Sequence, residues 1–103
     1  MKLLSIITLF SALSSAAVFE LYEGDNCSGK MVERRNVYDN TCAYTKTYRS
    51  AKMIKKGGNG QMISFYKNKA CAAPRLRCIE AFSLGCHGTN DYANAISSYT
   101  HCG

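Results

Sequence analysis

Apolar residues in this chain alternate over short runs and nowhere keep a helical spacing. Phe19 and Leu21 flank Glu20, and Ile63 and Phe65 flank Ser64, the period-two pattern of a strand with one buried face. Residues 18–22, 31–37, 62–66 and 76–82 are rich in β-branched, aromatic and aliphatic side chains and predict strands. Turn formers separate them: Glu23-Gly24-Asp25-Asn26, Tyr38-Asp39-Asn40 and the flexible break Gly57-Gly58-Asn59-Gly60. The expectation is an all-β fold.

The pattern also repeats. Tyr22, Cys27, Cys42 and Tyr48 recur 44 residues later as Tyr66, Cys71, Cys86 and Tyr92, and Thr45 and Ala51 recur as Thr89 and Ala95. Conservative matches follow the same offset: Phe19 and Leu21 with Ile63 and Phe65, Val32 with Leu76, Tyr38 with Phe82. Two modules, about residues 18–59 and 62–103, are therefore expected.

Residues 1–17 read as an export leader. Lys2 gives the positive start, residues 3–13 the apolar stretch, and Ser15-Ala16-Ala17 a small-x-small cleavage site. The apolar run is shorter than the roughly 20 residues a membrane span needs, so no transmembrane anchor is expected in the mature chain. That chain, residues 18–103, would be a single secreted, extracellular domain and a monomer.

A domain this small needs staples. All six cysteines lie beyond the leader, and an even number in a short exported chain implies three bridges among fifteen pairings. If each module closes on itself, Cys27 pairs with Cys42 and Cys71 with Cys86, leaving Cys78 with Cys102. A zinc set built from Cys78, Cys86, His87, His101 and Cys102 is disfavoured, because an oxidising compartment removes the thiolates it needs. No cofactor is expected.

Tyr22-Glu23-Gly24-Asp25-Asn26-Cys27-Ser28-Gly29 resembles the Greek-key signature of the βγ-crystallins, with cysteine in place of the second aromatic residue. In that family the glycine permits a folded hairpin and a later serine, matched by Ser50, ties it down. The second copy, Tyr66 to Ala73, has alanine at the glycine position, and its serine is either Ser97 or replaced by Asn94. The resemblance implies two Greek-key-like repeats forming one disulfide-stapled sandwich. It also implies a weak calcium candidate at Asn90 and Asp91, although the hydroxyl residues that should follow are missing and calcium needs several oxygen ligands.

Charge narrows the partners. The whole chain carries +6, and loss of Lys2 leaves a net charge near +5, which draws a protein to phosphate-bearing lipids, acidic cell-wall polymers or nucleic acid. Candidate basic patches are Arg34 with Arg35, Lys52 with Lys55 and Lys56, Lys67 with Lys69, and Arg75 with Arg77. Asn26-Cys27-Ser28 matches a glycosylation sequon whose central cysteine would hinder modification.

A basic ribonuclease could be assembled on paper from Glu33 or Glu80 as base, His87 or His101 as acid, and the arginines. No Gly-x-Ser-x-Gly, His-Glu-x-x-His or phosphate-cradling loop accompanies them. The reading is a non-enzymatic cationic binding protein of the toxin or antimicrobial type, directed at an anionic cell surface or cell-wall polymer. The alternative is a host-directed effector that engages a host protein.

Overall fold

The computed structural model describes residues 15–102. They form six strands: β1 (Ala16–Tyr22), β2 (Met31–Tyr38), β3 (Thr41–Lys55), β4 (Met62–Tyr66), β5 (Arg75–Glu80) and β6 (Gly85–Tyr99). Among the described residues the sole helical piece is a 3-10 turn at Asp25–Cys27. The protein is all-β: one antiparallel sheet in the order β2-β1-β3-β6-β4-β5. Most of the proposed leader, residues 1–14, lies outside the described residues. Its last two residues, Ala16 and Ala17, open β1.

The two long strands organise the rest. Residues 41–44 of β3 pair with 95–98 of β6, and residues 50–53 of β3 pair with 85–88 of β6. β1 runs along the 50–55 end of β3, and β4 along the 95–99 end of β6. The sheet thus has two wings, β2-β1 and β5-β4, attached to opposite ends of the central pair. The register of β3 on β6 slips on both sides of Tyr48, and irregularities of this kind let a strand bend.

Ring contacts show that the wings close on each other. Phe19 on β1 and Phe65 on β4 meet edge to face with centroids 5.9 Å apart. In a flat sheet β1 and β4 would stand three strand spacings apart, about 14 Å. Tyr48 approaches the same Phe65 ring at 6.3 Å. Leu21, Val37, Met53, Ile63 and Ile96 complete a fully enclosed core, with Ala17, Ala51, Ala81 and Ala93 filling the narrow places. Each large side chain buried there contributes about 1.5–3 kcal/mol. The Tyr48 hydroxyl donates to the Ala95 carbonyl at 3.1 Å, and burial pushes its phenol well above the ordinary value, so it stays a donor.

Ser64 departs from the simple alternating pattern, because it is as buried as its neighbours Ile63 and Phe65. It pairs with Cys78 on one side and Ser97 on the other, and Ser97 pairs with Cys42. Both outer members of that row are bridged cysteines.

The disulfides correct the expected pairing. Cys27 bonds to Cys86 and Cys42 to Cys71, not Cys27 to Cys42 and Cys71 to Cys86; the third bridge is Cys78–Cys102. The cause is the course of β3. Cys42 lies on its first segment, beside the β4 wing, whereas Cys27 stands next to Ser50 and the β1 wing. Each of these two bridges stays within one wing and joins the two halves of the sequence. Their sequence separations of 59 and 29 residues correspond in the chain-entropy model to about 4 and 3.5 kcal/mol.

Two outcomes are expected. Peptide mapping of the unreduced protein should find Cys27 linked to Cys86 and Cys42 to Cys71; a Cys27–Cys42 peptide would contradict this topology. Phe65→Ala should lower the stability measured by chemical denaturation by about 3–5 kcal/mol, because both aromatic contacts across the wings are lost.

Candidate functional site

β2 and the first part of β3 are consecutive yet unpaired. One is the edge of the first wing; the other flanks the second. Between them runs an open groove of about 540 Å³ lined by Arg34, Arg35, Asn36 and Tyr38 from β2 and by Thr41, Cys42 and Ala43 from β3. A smaller depression of about 250 Å³ lies along the same two strands, lined by Glu33, Tyr44, Thr45, Lys46 and Lys69.

The turn that joins the strands is held from below. Asn40 adopts φ +61°, a conformation that asparagine tolerates better than most residues. Its N–H donates to Gln61 Oε1 at 3.2 Å, and Gln61 Nε2 donates back to Asn40 Oδ1 at 3.2 Å. Ser98 Oγ donates to the same Gln61 Oε1 at 2.8 Å. Thr41 Oγ1 closes the turn onto the Tyr38 carbonyl at 2.6 Å.

Positive charge predominates along the groove. Its carboxylate, Glu33, accepts from the Lys46 N–H at 2.8 Å through one oxygen and from Arg35 at 3.2 Å through the other. That arrangement joins the two edges and neutralises the acid. It leaves Arg34, Lys46 and Lys69 as cationic groups, with Tyr38 48% and Tyr44 65% exposed beside them. Lys69 comes from a separate loop, delivered by the Cys42–Cys71 bridge. Asn68 stiffens that loop: its Oδ1 accepts from the Ala70 and Ala72 N–H groups at 3.0 and 3.1 Å, and its Nδ2 donates to the Ala72 and Ala73 carbonyls at 2.7 and 3.1 Å.

The sequence-predicted basic residues are thus divided. Arg34 and Arg35 line the groove and Lys69 the smaller depression along the same strands, whereas Lys52, Lys55 and Lys56 lie on the last part of β3 and just beyond it. Glu20 stands opposite both Arg34 and Lys52 in the sheet, so Arg34 borders the groove from a face whose charge Glu20 partly offsets. Lys67 is bound to Asp91 at 3.0 Å, and Arg77 donates to the Gly88 carbonyl at 3.1 Å. Arg75 pairs with Tyr66 at the start of β5. Tyr38 in the groove and Tyr44 and Lys46 in the depression were not legible as neighbours of the arginines, since nothing in the linear sequence brings residue 46 to residue 33.

The calcium candidates stand apart from this groove. Asp91 gives one carboxylate oxygen to Lys67 and accepts the Tyr92 N–H at 2.7 Å with the other. The Lys67 hydrogen bond, with that backbone bond, holds the Asp91 carboxyl below its ordinary value. Among the described residues no group of three or more His, Cys, Asp or Glu could hold a metal, and every thiol of the imagined zinc set is in a disulfide.

The ribonuclease residues are also separated. Along the strand register Glu33 stands opposite Leu21, Leu21 opposite Ala51 and Ala51 opposite His87, which is three spacings or about 14 Å. A shared proton transfer needs hydrogen-bond reach. His87 Nε2 is instead 2.6 Å from the Ser83 carbonyl. Glu80 ends β5 opposite Met62, and His101 is exposed beyond β6.

Around the groove's scaffold, hairpin ties differ between the two halves. Ser50 Oγ donates to the Gly24 carbonyl at 2.6 Å and accepts the Cys27 N–H at 2.8 Å. In the second half Asn94 does the tying, its Nδ2 donating to the Lys67 carbonyl at 2.8 Å; Ser97 faces Tyr66. Arg49 bonds to Asp25 at 3.1 Å and lies 4.8 Å over the Tyr92 ring. The sequon residue Asn26 is exposed beside the bridged Cys27.

Comparison with protein-family models, with curated proteins and with solved structures gives no match.

The Asp91 contact predicts a sign. Because its folded pKa is lowered, its stabilising effect is present above the unfolded carboxylate value and fades as pH falls through the folded one. Carbon-detected NMR titration should place Asp91 below the ordinary aspartate midpoint, and Lys67→Met should move it back up. A midpoint unchanged by that substitution would show that the ion pair does not form.

Proposed function

We propose that this chain is a secreted, non-enzymatic cationic protein that binds an anionic surface or cell-wall polymer of other cells through the groove between β2 and β3, in the manner of a toxin or antimicrobial protein. The observation that carries the reading is a groove lined by Arg34 and Tyr38 and, along the same two strands, a depression lined by Lys46, Lys69 and Tyr44, with Arg35 compensating their one acid, Glu33. The planar guanidinium fork binds two oxygens at once of a carboxylate or a phosphate. Exposed tyrosine rings supply rigid contact area beside them. A groove along strands presents these groups at regular spacing, which suits a repeating polymer better than a compact small molecule.

Export is supported by the leader-like sequence and by three disulfides in a small domain, the usual condition of extracellular proteins. A duplicated Greek-key scaffold of the βγ-crystallin kind is supported by position: β3 and β6 begin and end 44 residues apart, the same offset found in the sequence. Cys27 and Cys71, at that offset, share the left-handed conformation with φ +55° and +53°. Gly29 has φ +75° and Ser50 makes the hairpin tie. The second half departs at Ala73 and Asn94.

The test is binding to an immobilised anionic polysaccharide, with growth inhibition measured in parallel over a salt series. Both should weaken as salt rises, since the Debye length is about 8 Å at physiological ionic strength. The double variant Arg34→Glu, Lys69→Glu should lose about tenfold or more in affinity, while Lys55→Glu, Lys56→Glu, with the same net charge, should lose far less. Equal losses from the two variants would refute the groove, and salt-independent binding would refute the electrostatic mechanism.

A further inference from the structure

Ala16 and Ala17 are built into the fold. Ala17 has no exposed surface and Ala16 is 8% exposed; they pair with Val37 and Tyr38 of β2. A Cβ on Gly57 would lie 3.3 Å from the Ala17 methyl and 3.1 Å from that of Ala81. The segment after β3 therefore packs directly on Ala17, and the Gly57 N–H donates to the Ala81 carbonyl at 2.8 Å. One residue earlier, the Ser15 carbonyl accepts the Asp39 N–H at 2.9 Å, which anchors the turn at the end of the groove.

A leader cut after Ala17 would delete every contact made by Ser15, Ala16 and Ala17. The sequence offers three bonds with small residues at both positions that cleavage reads: after Ala17 (with Ser15), after Ala16 (with Ser14) and after Ser14 (with Ala12). Cleavage after Ser15 would put Leu13 at the upstream recognition position, which is too large. Of the three permitted bonds, only Ser14–Ser15 leaves Ala16 and Ala17 in the mature chain. Residues 3–10 still supply an apolar core of the length such leaders use.

We infer that the leader is removed by hydrolysis of the Ser14–Ser15 peptide bond, an inference that rests on the export reading. Water adds across the bond, Ser14 leaves with the new carboxylate, and Ser15 keeps the new ammonium group. Cleavage there adds a positive charge next to the β2–β3 turn, one residue in sequence from the Tyr38 side of the groove through the Asp39–Ser15 bond. Processing thus preserves β1 and extends the cationic character of the same site.

The experiment is intact-mass analysis and N-terminal sequencing of the protein secreted by a eukaryotic host from its full coding sequence. A chain beginning at Ser15 is expected. A secreted chain beginning at Ala17 or Val18 would overturn the cleavage position and leave the export reading standing, whereas retention in the cell as the uncut chain would sink both. A second measurement compares oxidatively refolded chains starting at Ser15 and at Val18. The shorter one should melt about 5 °C or more lower, or fail to fold, given the size of such shifts in small domains; equal melting midpoints would overturn the inference.

Discussion

Antiparallel pairing of β3 with β6 is the constraint on which the rest of the molecule depends. Each of these strands is 15 residues long, and each serves one wing with its first part and the other with its second. Neither wing is complete without a strand segment from the other half of the chain. The core inherits this mutual dependence: Phe65 from β4 touches both Phe19 from β1 and Tyr48 from β3. A domain of this size buries too little surface for two separate cores, and sharing the central strands makes one core out of two units. The 27–86 and 42–71 bridges then lock each wing to the strand it borrowed.

That same exchange limits what could be read from the sequence. Strand character was legible because Phe19-Glu20-Leu21 and Ile63-Ser64-Phe65 alternate, and because Gly57 to Gly60 mark a break. The 44-residue offset was legible in Tyr22, Cys27, Cys42 and Tyr48. The disulfide partners were not, since the offset is equally compatible with bridges inside each half and with bridges that join equivalent positions across halves. Cys27–Cys86 maps onto Cys71–Cys42 under the same shift, so the symmetry survives while the pairing changes. Only the passage of β3 from one wing to the other between Tyr44 and Ser50 decides the matter, and alternating polarity carries no information about that passage. Ser64 was misleading for a related reason: a polar residue between two apolar ones normally faces water, but here bridged cysteines stand at both ends of its row.

For the groove, the linear sequence showed the Arg34-Arg35 pair and Lys69 but not their neighbours. Lys46 reaches Glu33 because the edge of one wing meets the flank of the other, and Lys69 arrives through a disulfide 29 residues long in sequence. Lys67, two residues away, points into an ion pair with Asp91 instead. Lys67 and Lys69 lie in the loop after β4, where no strand periodicity fixes their directions, so nearness in sequence is a poor guide to a shared basic surface. The cations that gather in space come from three segments, and the tertiary fold alone selects them.

The two edges of the molecule differ, and that difference bears on the proposed binding surface. At the 44-residue offset Arg34 and Arg35 correspond to Cys78 and Ile79, Tyr44 to Gly88, and Lys46 to Asn90. Along the second edge Arg77 reaches directly to the Gly88 carbonyl, Ile79 packs against the core, and Cys78 is bonded to Cys102. The bridge without a counterpart in the first half therefore draws the C-terminal tail over the second edge. Among the described residues the first edge has no such cover: tyrosine and arginines stand at the positions of the small and apolar residues, and the space between its strands is open. The two edges, 44 residues apart in sequence, thus differ in kind: one is closed by a disulfide and apolar packing, the other lined with cations and aromatic rings. Stability alone would favour sealing both, because an open strand edge invites unwanted pairing and clustered like charges repel. An edge left open among the described residues despite those costs is what the proposed binding surface requires.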